Sequence, residues 1–341
     1  MKSSNAPVAK PNIKSIAEAA GVSLATVSRV MNSTAKVSER KVQSVYRAAS
    51  ILGYQMPQRA PTSTNFRTRN IALAYTGSSM QLAEWGFMDG IEAYFRKRDM
   101  RLVLTNLTPD GEVPSLLADH ACDGVIVLAN LVNIPDSLLQ IVKSFPCIQI
   151  VRGQGPLDCW DEVLADNASI ARIAIGYLSG LNVRQFAFMN IHPDHESCVE
   201  RGSYFEFFLR QKGIQPLMLK ADYQDAKSRP RHRLAEDLVE RFLQAEQKPD
   251  GLFIPTDFQL PECYAALESR GIRPMKDVQI ISCDNCERHL ATLSPRPATI
   301  DQLMGEVGFQ AARQLTWRIQ NPTAAPLQVF IKPKLILPPN N

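Results

Sequence analysis

The sequence has no apolar run near the roughly 20 residues that a bilayer-spanning helix needs, so a helical membrane protein is not expected. Its opening stretch, MKSSNAPVAKPN, has no apolar h-region, so export is not expected either. Cysteine is sparse and irregular. Seven residues, an odd number without a regular framework, fit reduced thiols in the cytoplasm. No G-x-S-x-G elbow, H-E-x-x-H pair or Walker A loop occurs, nor a nucleophile with its base. The chain is therefore expected to recognise molecules, not to act as an enzyme, and no cofactor is expected. No heptad pattern follows the strand in PLQVFIKPKLILPPNN, which speaks against a coiled coil there.

Acidic residues are almost missing from the first fifth. Between Met1 and Arg69, eleven Lys and Arg stand against Glu18 and Glu39 alone, a net +9. The whole chain is +4, so the remainder carries −5. A basic head on a longer acidic body is the charge pattern of a nucleic-acid binder with a separate regulatory part.

Within the head, NIKSIAEAAGVSLATVSRVMN (12–32) reads as two short helices around Gly21. Asn12 can cap the first, and Ile13, Ile16, Ala17 and Ala20 form its apolar stripe. Ser23 caps the second, which buries Val27, Val30 and Met31 and turns Leu24, Ala25, Ser28 and Arg29 outward. That layout is a helix-turn-helix, whose second helix enters the DNA major groove. Ser38 then caps a third helix, 39–52, with Val42, Val45, Tyr46, Ala49 and Leu52 inward and Val37 placed as a hydrophobic staple. An all-α three-helix head is expected over 1–54. The stretch QMPQRAPTSTNFRTR (55–69) has linker composition.

From Asn70 the texture changes to compact apolar runs, IALAY (71–75), RLVLTN (101–106), DGVIVLA (123–129) and CIQIV (147–151). Helical patterns lie between them, as at 85–98 and 135–144. The same texture returns with FAFMN (186–190), PLMLKA (216–221), GLFIP (251–255) and VQIISC (278–283) among helices at 167–180, 201–212, 231–246 and 261–271. Buried strands alternating with helices predict α/β architecture, two doubly wound parallel-sheet subdomains. Such subdomains bind ligands beside the carboxyl ends of their strands.

These residues resemble the lac-repressor/galactose-repressor family of bacterial transcription regulators. IKSIAEAAGVSLATVSRVMN with VSERKVQSVYRAASILGY is similar to that family's head almost position for position. VLADNASIARIAIGYLSGLNVRQFAFM, PDGLFIPTD, DVQIISCDN and PATIDQLMGEVGFQAARQL resemble its body. The resemblance implies a body of periplasmic-binding-protein type over 70–341. Its first half would be 70–164 plus about 299–322, its second 165–298 plus about 326–337. It also implies a homodimer with no membrane partner, reading a near-palindromic double-stranded operator, and a small polar, sugar-like effector between the halves. Half-sites would lie about 10–10.5 bp apart.

By resemblance, Leu24, Ala25 and Arg29 would meet base edges. Asn12, Ser23, Thr26, Ser28, Asn32 and Ser38, with Lys36 and Arg59, would contact DNA, mainly its phosphates. Arg201, Tyr223, Thr256, Asp257 and Asp284 would hold the effector, and Gln81 and Trp85 are candidates from the first half. The linker departs from the family. Where a hinge helix with a wedging leucine is usual, this chain has Ser63, with Pro61 inside the segment. An extended arm carrying Arg59, Arg67 and Arg69 along DNA is expected instead. His192, His195 and Cys198 could in principle bind a metal, and Cys283 with Cys286 has C-x-x-C spacing, but neither set has its remaining ligands and no metal is expected. A solute-binding protein would share the body but not the basic head, and a purine-like corepressor would suit Arg201 and Asp284 as well as a sugar.

Overall fold

Asn12 opens the first helix, Ile13–Ala20 (α1), its side chain accepting the N–H groups of Lys14 and Ser15 while Ser15 answers the Asn12 N–H. This reciprocal cap satisfies donors that the first turn leaves free. Gly21 ends α1 in the left-handed region, at φ 63°, where a side chain would be strained. Leu24–Asn32 (α2) and Glu39–Ile51 (α3) complete the head. Ile16, Ala17, Val27, Val30, Val45, Ala48 and Ala49 form its core. Ile13, expected inside, is instead exposed at the edge of that small core. The chain is described from a computed structural model over residues 12–32, 37–52, 54, 66–76, 86–108, 110, 112–128, 134–151, 160–193 and 195–339.

The body follows as Asn70–Tyr75 (β1), Phe87–Arg96 (α4), Arg101–Asn106 (β2), Ser115–Ala118 (α5), Gly124–Leu128 (β3), Asp136–Lys143 (α6), Cys147–Gln149 (β4) and Asp161–Ala165 (β5). Next come Asn167–Gly180 (α7), Phe186–Asn190 (β6), Glu196–Gln211 (α8), Leu217–Lys220 (β7), Tyr223–Ser228 (α9), Arg231–Leu243 (α10) and Gly251–Phe253 (β8). A 3-10 turn at Asp257–Gln259 leads into Leu260–Ser269 (α11), Gln279–Cys283 (β9), Glu287–Leu290 (α12), Ala298–Asp301 (β10), Met304–Gln320 (α13), Gln328–Ile331 (β11) and Lys334–Ile336 (β12).

The chain divides into two units. The first joins the head to Met88–Glu162 and Gly308–Gln328. Its sheet has the order β11-β5-β4-β3-β1-β2, with parallel pairing from β5 through to β2. Every residue of β3 is buried, as in a parallel sheet covered on both faces. The second unit, built mainly on Val163–Val307, has the order β12-β10-β9-β8-β6-β7, parallel except where β12 runs against β10. One face of that sheet packs on Leu234, Leu238, Phe242, Tyr264 and Leu267, the other on Ile170, Ala174, Phe205 and Leu209.

Several expected bounds are corrected. α8 begins five residues earlier than 201, and α4 ends at Arg96. Ala298–Asp301 hydrogen-bonds to β9 and β12, so the return to the first unit comes at Gly308, within α13, and not near 299. β11 pairs into the first sheet and β12 into the second, while Val329–Asn341 groups with the second unit. β5 was not anticipated, because DEVLA opens on two acidic residues that are in fact buried.

Candidate functional site

The outward face of α2 presents Ser23, Leu24, Ala25, Ser28 and Arg29, all exposed, with Thr26 partly covered. The Ser23 and Thr26 hydroxyls meet at 2.8 Å, and the Ser23 hydroxyl accepts the Thr26 N–H. Asn12, at the start of α1, and Ser38, before α3, are exposed too. Helix starts of this kind offer main-chain N–H groups to phosphate oxygens. Lys36 and Arg59 lie outside the described residues, and α2 ends at the backbone of Asn32. Two arginines expected on the DNA arm are engaged by the body. Arg67 donates to the His120 carbonyl, and Arg69 pairs with Asp99 at 2.6 Å.

In the second unit, the carboxyl ends of β8, β9 and β10 and the start of α7 converge on one guanidinium. Arg201 projects from the first half of α8 and is 3% exposed. Its neighbour Gly202 lets the helix approach the sheet closely, since a Cβ there would stand 2.6 Å from the Phe188 ring. Arg201 Nε donates to Asn167 Oδ1 at 2.9 Å and Nη2 to Gln302 Oε1 at 2.7 Å. Nη1 donates to the Pro255 carbonyl at 2.5 Å and faces Asp284 Oδ1 at 3.4 Å. Asp284 also accepts from Thr256 Oγ1 and Gln302 Nε2. Asn167 in turn donates to Glu200 at 2.8 Å.

Asp284 sits at φ 121°, a conformation that side chains rarely adopt. Such strain persists only where surroundings impose it, and it concentrates at binding sites. Its side chain keeps 26% exposure while the Arg201 charge behind it is sealed. Burial pushes the Asp284 carboxyl up, against the pull of Arg201, Thr256 and Gln302.

Asp257 is corrected. It is fully buried, accepting from the hydroxyls of Ser282 and Thr299 and from the Cys286 N–H at 2.8 Å. Burial, then the nearby Asp284 charge, pushes it up to about 7. It braces β9 and β10 from behind and offers no surface to a ligand. Tyr223 opens α9 and is 42% exposed as a residue, with Lys227 Nζ 4.2 Å from its ring centroid. Gln81 and Trp85 lie outside the described residues. His195 caps α8, His192 packs on Phe258, and Cys198 and Cys283 are buried.

Three members of the cluster escaped the sequence reading: Asn167, Gln302 and the Pro255 carbonyl. Gln302 directly follows β10, which was a usable signal, whereas Asn167 at the first position of α7 reads as an ordinary helix start.

Comparison with known proteins matches residues 12–57 to the model described as bacterial regulatory proteins, lacI family, and residues 175–337 to a periplasmic binding protein-like domain. An HTH-type transcriptional repressor PurR from Vibrio atlanticus (strain LGP32) is 26% identical over 319 residues, 91% of this chain and 92% of that one. Among solved structures, a transcriptional regulator CelR–cellobiose complex superposes with a TM-score of 0.66 at 23% identity, covering 97% of this chain and all of that one. A lac repressor dimer bound to operator and the anti-inducer ONPF gives 0.62 at 18% identity, covering 97% and 98%.

Proposed function

The chain belongs to the lacI family of bacterial regulatory proteins, and from that premise we propose how its two sites divide the work of a transcriptional repressor. The head binds double-stranded operator DNA, with Leu24, Ala25 and Arg29 on base edges and Asn12, Ser23, Thr26, Ser28 and Ser38 on phosphates. The protein acts as a homodimer, and it works in the cytoplasm, where its DNA partner is. No described helix is long and apolar enough to cross a membrane.

The second unit binds a small polar effector against Arg201, Asp284, Thr256, Gln302 and Asn167, with Tyr223 as a flanking ring. The observation that carries this reading is the strained, part-exposed Asp284 held against a sealed guanidinium at the strand ends. A carboxylate accepts only, while Asn and Gln both donate and accept, a combination suited to a polyhydroxylated, sugar-like molecule. The exposed Tyr223 ring supports a second reading, a purine-like base stacked on it. The effector is a recognised ligand and not a substrate. Calorimetry against sugars and purines, with and without operator DNA, separates these readings. Heat from a sugar that also changes operator affinity supports the first. Heat from a purine, abolished in Tyr223→Ala, supports the second.

A further inference from the structure

Two unrelated connections in the first unit converge on one short loop, residues 119–123, between α5 and β3. From one side, the Asp123 carboxylate accepts the main-chain N–H groups of Arg67 at 3.1 Å, Thr68 at 3.0 Å and Arg69 at 2.7 Å. The chain entering the body is thereby pinned to the loop. From the other side comes the head itself. Arg47 of α3 pairs with Asp119 at 3.0 Å, and the Tyr46 ring lies 4.1 Å from the His120 ring. His120 stacks in turn on Phe145, at 4.7 Å and 26°. Tyr46 also packs on the head's own core, so it belongs to both bodies at once.

The column of three rings needs His120 to point out of the loop, and its backbone takes φ 48° to do so. Its carbonyl, turned the other way, receives the Arg67 guanidinium. Loop geometry, ring stack and ion pair therefore depend on one another. The reading face of α2 takes no part, and Leu24 on it stays 53% exposed.

We propose that residues 119–123 with Phe145 form a seat for α3, so that the first α/β unit carries the DNA-reading head by direct contact as well as through the linker. Movements of that unit then reach α2 without relying on a segment that holds Pro57, Pro61 and several hydroxyl residues. Because α2 stays uncovered, the seat orients the head and does not silence it.

Hydrogen exchange on the full-length, DNA-free protein tests this. The variants are Arg47→Asp, Asp119→Arg, the two combined, and His120→Asn, which tolerates the left-handed backbone. Each single change is expected to speed exchange about three- to tenfold in both α3 and residues 117–123, with α1 and β6–β9 unchanged. The combined charge swap should recover at least half of that loss. Faster exchange throughout α1, α2 and α3 with 117–123 unaffected would mean a loosened head and no seat. Unchanged exchange in every single variant, or a swap that recovers nothing, would also overturn the proposal.

Discussion

Arg29 stands exposed in the last turn of α2, on the face that carries Leu24, Ala25 and Ser28. A guanidinium there can bond guanine O6 and N7 together, and such a pair contributes about 1–3 kcal/mol of discrimination. Arg29→Ala should therefore lose roughly that much preference for operator over random DNA in gel shifts, with effector binding intact. An equal loss on both DNAs would make it a phosphate contact. At the other site, Asp284→Asn removes the charge beside Arg201 and leaves the shape. Hydrogen bonds to charged groups contribute roughly 1.5–3 kcal/mol, so effector affinity should fall at least about tenfold by calorimetry; unchanged affinity would move the site elsewhere. Asp284 could be singled out from sequence because it directly follows a strand, and Arg201 because it lies in a recognisable run, although it sits inside α8 and not at a strand end. The direction of a side chain at a strand end is not in the spacing. Asp257 adjoins Thr256 in sequence and was read as its equal, yet its carboxylate turns inward to Ser282 and Thr299.

Single elements hold partners that sequence order conceals. β5 opens with Asp161, which receives Arg318 through Nε at 3.1 Å and through Nη2, with Gln314 at 2.8 Å and the Leu327 N–H at 2.9 Å. Arg318 also donates to the carbonyls of Asn321, Ala324 and Ala325, so one buried pair fixes β5, the end of α13 and the turn into β11. The partner lies 157 residues away, which is why nothing in DEVLA itself marks it as a buried strand, whereas the apolar period of α2 is visible locally. Asp161→Ala would strand the guanidinium and should cost about 3–5 kcal/mol in denaturant unfolding; a loss below about 1 kcal/mol would show that solvent reaches it. The α3 contact predicts a pH response. Burial, helped by Arg67 and opposed by Asp119, lowers the His120 imidazole from 6.5 to about 4. The folded form resists a proton that the unfolded form accepts, so stability is full above pH 6.5 and falls as pH drops towards 4. The loss is at most about 3 kcal/mol. Thermal melts of wild type and His120→Asn should converge across that window, and parallel pH profiles would exclude the ring as the cause.

Across the whole molecule, the head and the first unit meet through α3 and the 119–123 loop, while the linker at 55–65 lies outside the described residues. Its composition still constrains how the protein treats DNA. A proline inside a helix removes a hydrogen bond and clashes with the preceding turn, at roughly 3 kcal/mol, and Pro61 falls inside the segment where related regulators form a hinge helix. Unstacking a base step costs a few kcal/mol, offset where an apolar side chain fills the gap; Ser63, at the wedging position, has no such surface. The structure also withdraws two of the three arginines that the linker reading placed on DNA, since Arg67 and Arg69 serve His120 and Asp99. Arg59 is left as the arm's cation. On the proposed seat for α3, effector response would not require the linker to fold on DNA. The operator should therefore be bound with little central kink, below about 20°, the lower end of the range for proteins that insert a wedge. Circular-permutation gel shifts measure this. A sharp bend that disappears in Phe66→Ala or Met56→Ala would mean that one of these side chains has taken over the wedge, and the unkinked operator would have to be abandoned.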